Sequence, residues 1–350
     1  MTTPPTPSTP APNFDVDLAT LIDLALHLSQ ELQKRDTTSG LPLKEFDQRW
    51  FETETKNTVK LLSHNATKLS LIAPEKSRDT PKVTSEIHKC LLHLSALIDS
   101  VPGSLGSVLQ DEIRSTVSLL FTDVASLANN FLTTPRELKT GSNSIGYASS
   151  TGLVWKTCEV VEGMAFRNGE AVARRVRDRL GLVEDAIEED EGDDADGDAE
   201  DEGGRQFTPS EKELANQCLV IMKATKLLLK KVIVAVQNEE QPSASKTPPT
   251  TTTRTESEAL LTERTLIQDT LARVSLETSH RVDDLALLIE PPLHASEVAA
   301  AASALAQTCA SVMEAVKTLV EDEKTLSWFE TCGAQVGRVL ERILERDSAR

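Results

Sequence analysis

The chain of 350 residues carries a net charge of −18, 39% apolar residues and only 3% aromatics, enough apolar material for one large or two ordinary cores. Sparse glycine and prominent Leu, Ala, Val, Glu and Lys favour packed helices and leave almost no room for strands. The acidic balance argues against nucleic acid as a partner, and the amino terminus MTTPPTPSTPAP has neither the basic segment nor the apolar core of a signal peptide.

Residues 1–12 are expected to form a disordered head. Apolar residues then recur at alternating spacings of three and four, the signature of one stripe along a helix. Leu18, Leu21, Ala25, Leu28 and Leu32 make the first stripe. Val59, Leu62, Ala66, Leu69 and Ala73 make the second, on a helix predicted to start near Leu43. Val83, Ile87, Cys90, Leu94, Leu97 and Val101 give the third, and Ile113, Val117, Leu120, Val124, Leu127 and Phe131 the fourth. Breakers bound each of them: Pro42, Pro74 with Pro81, the stretch VPGS, and Pro135.

A polar connection, PRELKTGSNSIGYASSTG, leads to a fifth helix carrying Val154, Cys158, Val161, Ala165, Val172, Val176, Leu180, Val183 and Ile187. Thirteen carboxylates follow between Glu184 and Glu202 without a single Lys or Arg. They account for most of the net charge. Such a run repels itself and has too little apolar surface to fold, so 188–208 is predicted to be a disordered acidic loop, with Glu188, Glu189, Asp190, Glu191, Asp193 and Asp194 available for electrostatic contact with a basic partner.

Beyond it, Leu214, Cys218, Ile221, Thr225, Leu228, Val232 and Ala235 form the most regular stripe, with Leu219, Met222, Leu229, Ile233 and Val236 beside it. The apolar face is wider than a two-stranded coiled coil needs. Residues 239–254 have linker composition. Leu260, Ile267, Leu271, Val274, Val282, Leu285 and Ile289 then lead to Pro291 and Pro292. Val298, Ala302, Leu305, Cys309, Val312, Val316 and Leu319 follow, and Leu326, Phe329, Val336, Leu340 and Ile343 close the series. The expectation is an all-α fold of about nine long helices in two antiparallel bundles, five helices in 13–187 and four in 209–348, joined through the acidic loop. No apolar run approaches membrane-spanning length in this reading, and five cysteines without CxxC spacing fit a soluble, intracellular protein in a reducing compartment.

The double proline marks a corner. Proline has no N–H to bond backward and pushes the preceding residue out of the α region, so a helix is expected to end at Glu290 and a new one can begin at Pro292. Val282, Leu285 and Ile289 would pack inward, leaving Asp283, Asp284 and Glu290, with Pro291 and Pro292, as an acidic edge for partner recognition. In the alternative, these carboxylates pair with lysines or arginines of the bundle and only fix the corner.

Little else suggests chemistry. Cys90, Cys158, Cys218 and Cys309 sit on stripes as small buried hydrophobes, whereas Cys332 falls off its stripe and is expected to be more exposed. His88, Cys90 and His93 resemble metal ligands, but His88 and His93 point to different sides of a helix and a zinc site needs at least three convergent ligands. The segment TGSNSIGYASSTG lacks the Gly-Lys-Ser/Thr ending of a phosphate loop. No catalytic, cofactor or metal site is expected. Two basic patches, Arg174, Arg175, Arg177 and Arg179 and then Lys223, Lys226, Lys230 and Lys231, read as a solvated face or as partners of the acidic run.

Four stretches together carry a resemblance: LVWKTCEVVEGMAFRNGEAVARRVRDRLGLVEDAIEE, CLVIMKATKLLLKKVIVAV, RVDDLALLIEPP and, more weakly, KNTVKLLSHNATKLS. In this order, with an acidic insert between the first two, the chain resembles the cyclin-D-binding (cyclin-D-interacting) proteins. The resemblance implies a non-enzymatic, all-helical protein of nucleus and cytoplasm, with vinculin/α-catenin-like bundles. Its partners would be proteins of cyclin or helix-loop-helix type, through which it would regulate cell-cycle progression or transcription. A structural scaffold of the vinculin and α-catenin kind is the competing reading. The Pro/Thr-rich head and the segment QPSASKTPPTTTT depart from the family pattern.

The stripe reading makes one position decisive. Replacing Cys218 by Asp buries an unpartnered charge and should cost on the order of several kcal/mol, whereas Ala should cost roughly 1–2 kcal/mol. Denaturant unfolding of the two variants checks this, and native Cys218 should label slowly with a thiol reagent.

Overall fold

Burial of one apolar stripe per helix builds the whole protein. The computed structural model describes residues 14–34, 45–73, 78–133, 144–192, 207–240 and 254–348. These residues form ten α-helices and one 3-10 turn, with no strand among them: α1 (Phe14–Lys34), α2 (Gln48–Ile72), α3 (Thr80–Asp99), α4 (Ser107–Thr133), α5 (Ser144–Glu162), α6 (Asn168–Gly192), α7 (Pro209–Glu240), α8 (Arg254–Ala286), α9 (Ala295–Lys317) and α10 (Glu323–Ser348). The head 1–12, residues 241–253 of the expected linker and residues 193–206 of the expected acidic loop lie outside the described residues.

The first unit runs to Phe166 and the second starts at Arg167. In the first, each helix packs against two principal neighbours, in the cyclic order α1, α4, α5, α2, α3. All the predicted stripe residues of α1 to α4 are buried. The second helix starts at Gln48 rather than near Leu43, because the Asp47 carboxylate accepts the backbone N–H groups of Arg49 and Trp50 at 3.0 Å and caps it there. Gly106, at φ 113°, makes the turn from the 3-10 segment Gly103–Leu105 into α4, a conformation costly for a residue with a Cβ.

Polar side chains settle how these helices meet. Ser29 of α1 and Ser118 of α4 share a buried hydrogen bond at 2.7 Å, and Gln33 donates to Ser118 at 2.9 Å. Part of the segment expected to be a polar connection is helical, since α5 starts at Ser144. Thr151 bonds Ser70 at 2.6 Å, Trp155 donates its ring N–H to Thr67 at 3.0 Å, and Lys60 lies 3.9 Å from Glu162. The numbers rise along α2 as they fall along α5, so the two run antiparallel.

The predicted fifth helix is two helices. The helix is interrupted between Glu162 and Asn168, and the stripe hides the interruption because Val161, Ala165 and Val172 keep helical spacing across it. Phe166 is buried edge-on to Phe51, ring centroids 5.9 Å apart, with Lys56 Nζ 5.1 Å from its own ring centre. The Glu112 carboxylate takes the N–H of Ala165 at 2.9 Å, a donor that a continuous helix would have used internally. The expected division at the acidic run is therefore corrected: α6 belongs to the second unit, which begins well before that run.

The second unit also holds five helices, packed in the cyclic order α6, α8, α9, α10, α7, with α7 touching α9 as well. Asn168 ties the start of α6 to α8 through Gln268 at 3.1 Å and Asp269 at 3.0 Å. Lys226 and Lys230 of α7 both reach Glu184 of α6, at 3.2 and 2.8 Å, and Lys231 lies 6.0 Å from the centre of the Trp328 ring. Most predicted stripe residues are buried, but Leu219, Ile267, Leu326 and Leu340 are half-buried and Leu260 is exposed. None of the five cysteines is in a disulfide and all are buried, Cys332 included, which corrects its expected exposure. Burial pushes the thiols of Cys158 and Cys309 up to about 12.

Contrary to expectation, α9 is by length and composition apolar enough to cross a membrane. Its Val298, Ala302, Leu305, Cys309, Val312 and Val316 are buried within the unit instead. His88 Nδ1 donates to the Thr84 carbonyl at 2.8 Å and His93 meets Glu54 at 2.9 Å, and no metal-ligand group of three or more occurs among the described residues.

The Glu184 clamp is testable. Hydrogen bonds from Lys230 and Lys226 hold its carboxyl below the ordinary glutamate value. Glu184→Gln should therefore lower stability at neutral pH, by less than about 1 kcal/mol for groups this accessible. The contribution is present above the unfolded glutamate pKa and is lost as pH falls through the lowered folded value, so thermal melts of the two proteins should converge in acid.

Candidate functional site

The corner between α8 and α9 sits against the start of α7 and the end of α6. Proline at 291 cannot donate to the carbonyl one turn back, and its ring would collide there. Pro292 in turn removes Pro291 from the α region. These constraints reach back past Glu290: α8 ends at Ala286, not at Glu290 as expected, and Leu288 and Ile289 close tight turns onto Leu285 and Ala286. The Pro291–Pro292 bond is cis. The next helix starts at Ala295 rather than Pro292, with the His294 carbonyl accepting the N–H groups of Glu297 and Val298 at 3.0 Å.

Glu211 locks this corner in place. Thr208 and Glu211 form a capping box at the start of α7: the Thr208 N–H donates to Glu211 Oε2 at 2.8 Å, and the Glu211 N–H donates to Thr208 Oγ1 at 3.3 Å. The other carboxylate oxygen, Oε1, accepts the N–H of Leu293 at 3.1 Å. One side chain thus caps α7 and fastens the proline corner to it.

Between these elements lies a groove of about 270 Å³. Phe207, Leu219, Leu287 and Ile289 supply its apolar surface, and Glu189, Glu290 and Lys212 its charges. Leu287 is 75% exposed, the most exposed large apolar side chain among the described residues.

The predicted recognition edge is divided by this geometry. Glu290 is exposed and, with the half-buried Pro291, lines the groove. Pro292 is exposed next to it. Asp284 points to Arg281, 3.3 Å from its Nη1, as the bundle-pairing alternative expects. Asp283 is half-buried. Burial raises its carboxyl above the ordinary aspartate value, His280 counters this, and the negative charges of Asp284 and Glu189 add to the rise. Val282, Leu285 and Ile289 are buried as predicted.

Of the acidic contact residues, Glu188 and Glu189 are exposed on the last turns of α6. That helix continues to Gly192, so the expected loop starts later than 188 and Asp190 and Glu191 are helical. Asp193 and Asp194 lie outside the described residues. Sequence reasoning missed Phe207, Glu211, Lys212 and Leu287. The Thr-Pro-Ser-Glu stretch at 208–211 was a readable capping signal, but nothing local indicates that Glu211 also holds Leu293.

Among the described residues, ten helices in two units, with a groove at the proline corner of the second, define an all-α protein built on helix packing. By sequence comparison the chain belongs to the Grap2 and cyclin-D-interacting family, whose N-terminal model matches residues 54–192 and whose C-terminal model matches 189–314. It is 28% identical over 306 residues to a Cyclin-D1-binding protein 1 homolog of Danio rerio, covering 81% of this chain and 83% of that one. Its identity to the Xenopus laevis protein of the same name is 26% over 313 residues, covering 84% and 88%.

Glu211→Ala removes the acceptor of the Thr208 N–H, one half of the α7 capping box, and leaves the Leu293 N–H without its acceptor. Its expected cost is about 1–3 kcal/mol, read by denaturant unfolding, with faster amide exchange at Leu293.

Proposed function

We propose that this chain is a non-catalytic regulator of the cell cycle that works by binding a D-type cyclin. The observation that carries this reading is the family match across 54–314, in two adjoining halves, supported by the names of both relatives. The family name also makes a Grap2-type adaptor a candidate partner. Action in nucleus and cytoplasm, with an effect on transcription, follows from the same reading.

The proposed contact is the corner of the second unit. Asp283, Asp284, Glu290, Pro291 and Pro292 form its recognition edge, and Glu188, Glu189, Asp190, Glu191, Asp193 and Asp194 add an electrostatic contact. Exposure of Glu290, Glu188 and Glu189 supports this placement. Purified chain with Asp283 and Asp284 both changed to Lys, and separately Glu290→Lys, should capture purified D-type cyclin at least about tenfold more weakly while keeping native circular dichroism. Unchanged capture by folded variants overturns the edge, and no capture by the wild-type chain overturns the cyclin reading. Recovery of actin-linked proteins in place of cyclin from cell extract would instead favour a vinculin/α-catenin-like scaffold.

A further inference from the structure

We infer that the groove between the end of α6, the start of α7 and the proline corner takes a basic, leucine-bearing amphipathic helix of a protein partner. The inference rests on the partner-binding reading above and specifies the chemistry of what the site accepts.

Size is the first argument. At about 270 Å³ the groove lies at or below the roughly 300–1,000 Å³ of ordinary small-molecule pockets. It suits a few side chains of a larger partner. Its apolar surface comes from Phe207, Leu219, Leu287 and Ile289, with Leu287 standing mostly in water at the rim. An apolar anchor set between Phe207 and Leu287 would remove that side chain from solvent, as a helix does when it lays one face into a groove.

Charge selects the rest of the partner. Helix carboxyl ends carry partial negative charge and amino ends partial positive charge. Two carboxyl ends border this groove, those of α6 and α8, and neither has a basic residue in its last turn. Two amino ends lie nearby: that of α7 already holds the Glu211 carboxylate, and that of α9, just past the corner, carries Glu297 in its first turn. Glu189 and Glu290 add full negative charges on the groove itself, against Lys212. Asp283 lies near enough for Glu189 to act on it. Arg281 balances Asp284, and His280 faces Asp283. The resulting field is negative around an apolar floor, so the complementary ligand places Lys or Arg beside Leu or Phe on one helix.

The probe is a fluorescein-labelled helical peptide of Leu, Ala, Lys and Arg with Leu at i, i+3, i+4 and i+7, titrated by anisotropy against the full chain. Two companion peptides keep the same length: one with every Leu changed to Ser, the other with every Lys and Arg changed to Glu. The basic Leu peptide should bind, more weakly as salt rises, and both companions should bind at least about tenfold more weakly. Leu287→Asp and Glu290→Lys, at exposed positions that leave the fold intact by circular dichroism, should each weaken it by at least about tenfold as well. Leu71→Asp, a similarly exposed leucine of the first unit, should change nothing. Equal binding of the Ser peptide, or full binding by the Leu287→Asp chain, overturns the groove. Cyclin capture run in parallel separates the two readings. Peptide binding without cyclin capture sinks only the cyclin assignment, whereas cyclin capture without peptide binding sinks only this inference.

Discussion

A helix with one apolar stripe cannot stand alone in water, and every other feature of this chain follows from that constraint. With aromatics at 3% and almost all stripe positions filled by Leu, Val, Ile, Ala or Cys, the available burial comes from many aliphatic contacts of modest size rather than a few large rings. The helices therefore have to surround their stripes with other stripes. Five of them close that arrangement in each unit, and each helix finds a neighbour on either side. Cysteine is used as a small hydrophobe within the same surfaces, which is why all five thiols are buried.

Burial sets which face points inward but leaves helix depth and pairing loosely specified, since a leucine stripe can slide by a turn. Polar groups remove that freedom. Ser29 against Ser118, Ser70 against Thr151, and Asn168 against Gln268 each fix one pair of helices in one register. Buried polar atoms tolerate few alternatives, because a slipped register leaves them without partners. The Glu184 clamp serves α6 and α7 in the same way from a more accessible position.

At the proline corner the same logic produces a surface. The two prolines stop α8 early, and Leu287 of the freed segment stands exposed beside the buried Leu285 and Ile289. Glu211 then holds the turn at Leu293 while capping α7, so the groove wall is rigidly attached to a helix end. The matches to the two halves of the Grap2 and cyclin-D-interacting family overlap at 189–192, at the end of α6. The packing units divide earlier, between Phe166 and Arg167, so the acidic end of α6 belongs to the same unit as the corner.

Much of the architecture was determined by sequence alone. The stripes gave the helical class and most of the inward residues from Leu18 to Ile343, and the prolines gave the corner at Pro291 and Pro292, because period and proline chemistry act over neighbouring residues; four stretches of sequence carried the family resemblance. Tertiary structure decided the rest. The break between α5 and α6 keeps the helical period, and across it Phe166 packs on Phe51 and the Glu112 carboxylate accepts the Ala165 N–H. Cys332 lies off its expected stripe and is still buried, because α10 packs more than one side against its neighbours. The predicted acidic edge was split in a similar way, Asp284 turning to Arg281 while Glu290 joined Phe207 and Leu287 around a groove. Apart from the local Asp284–Arg281 pair, those meetings join residues far apart along the chain, and no local pattern records them, since their energies exist only once the helices have packed.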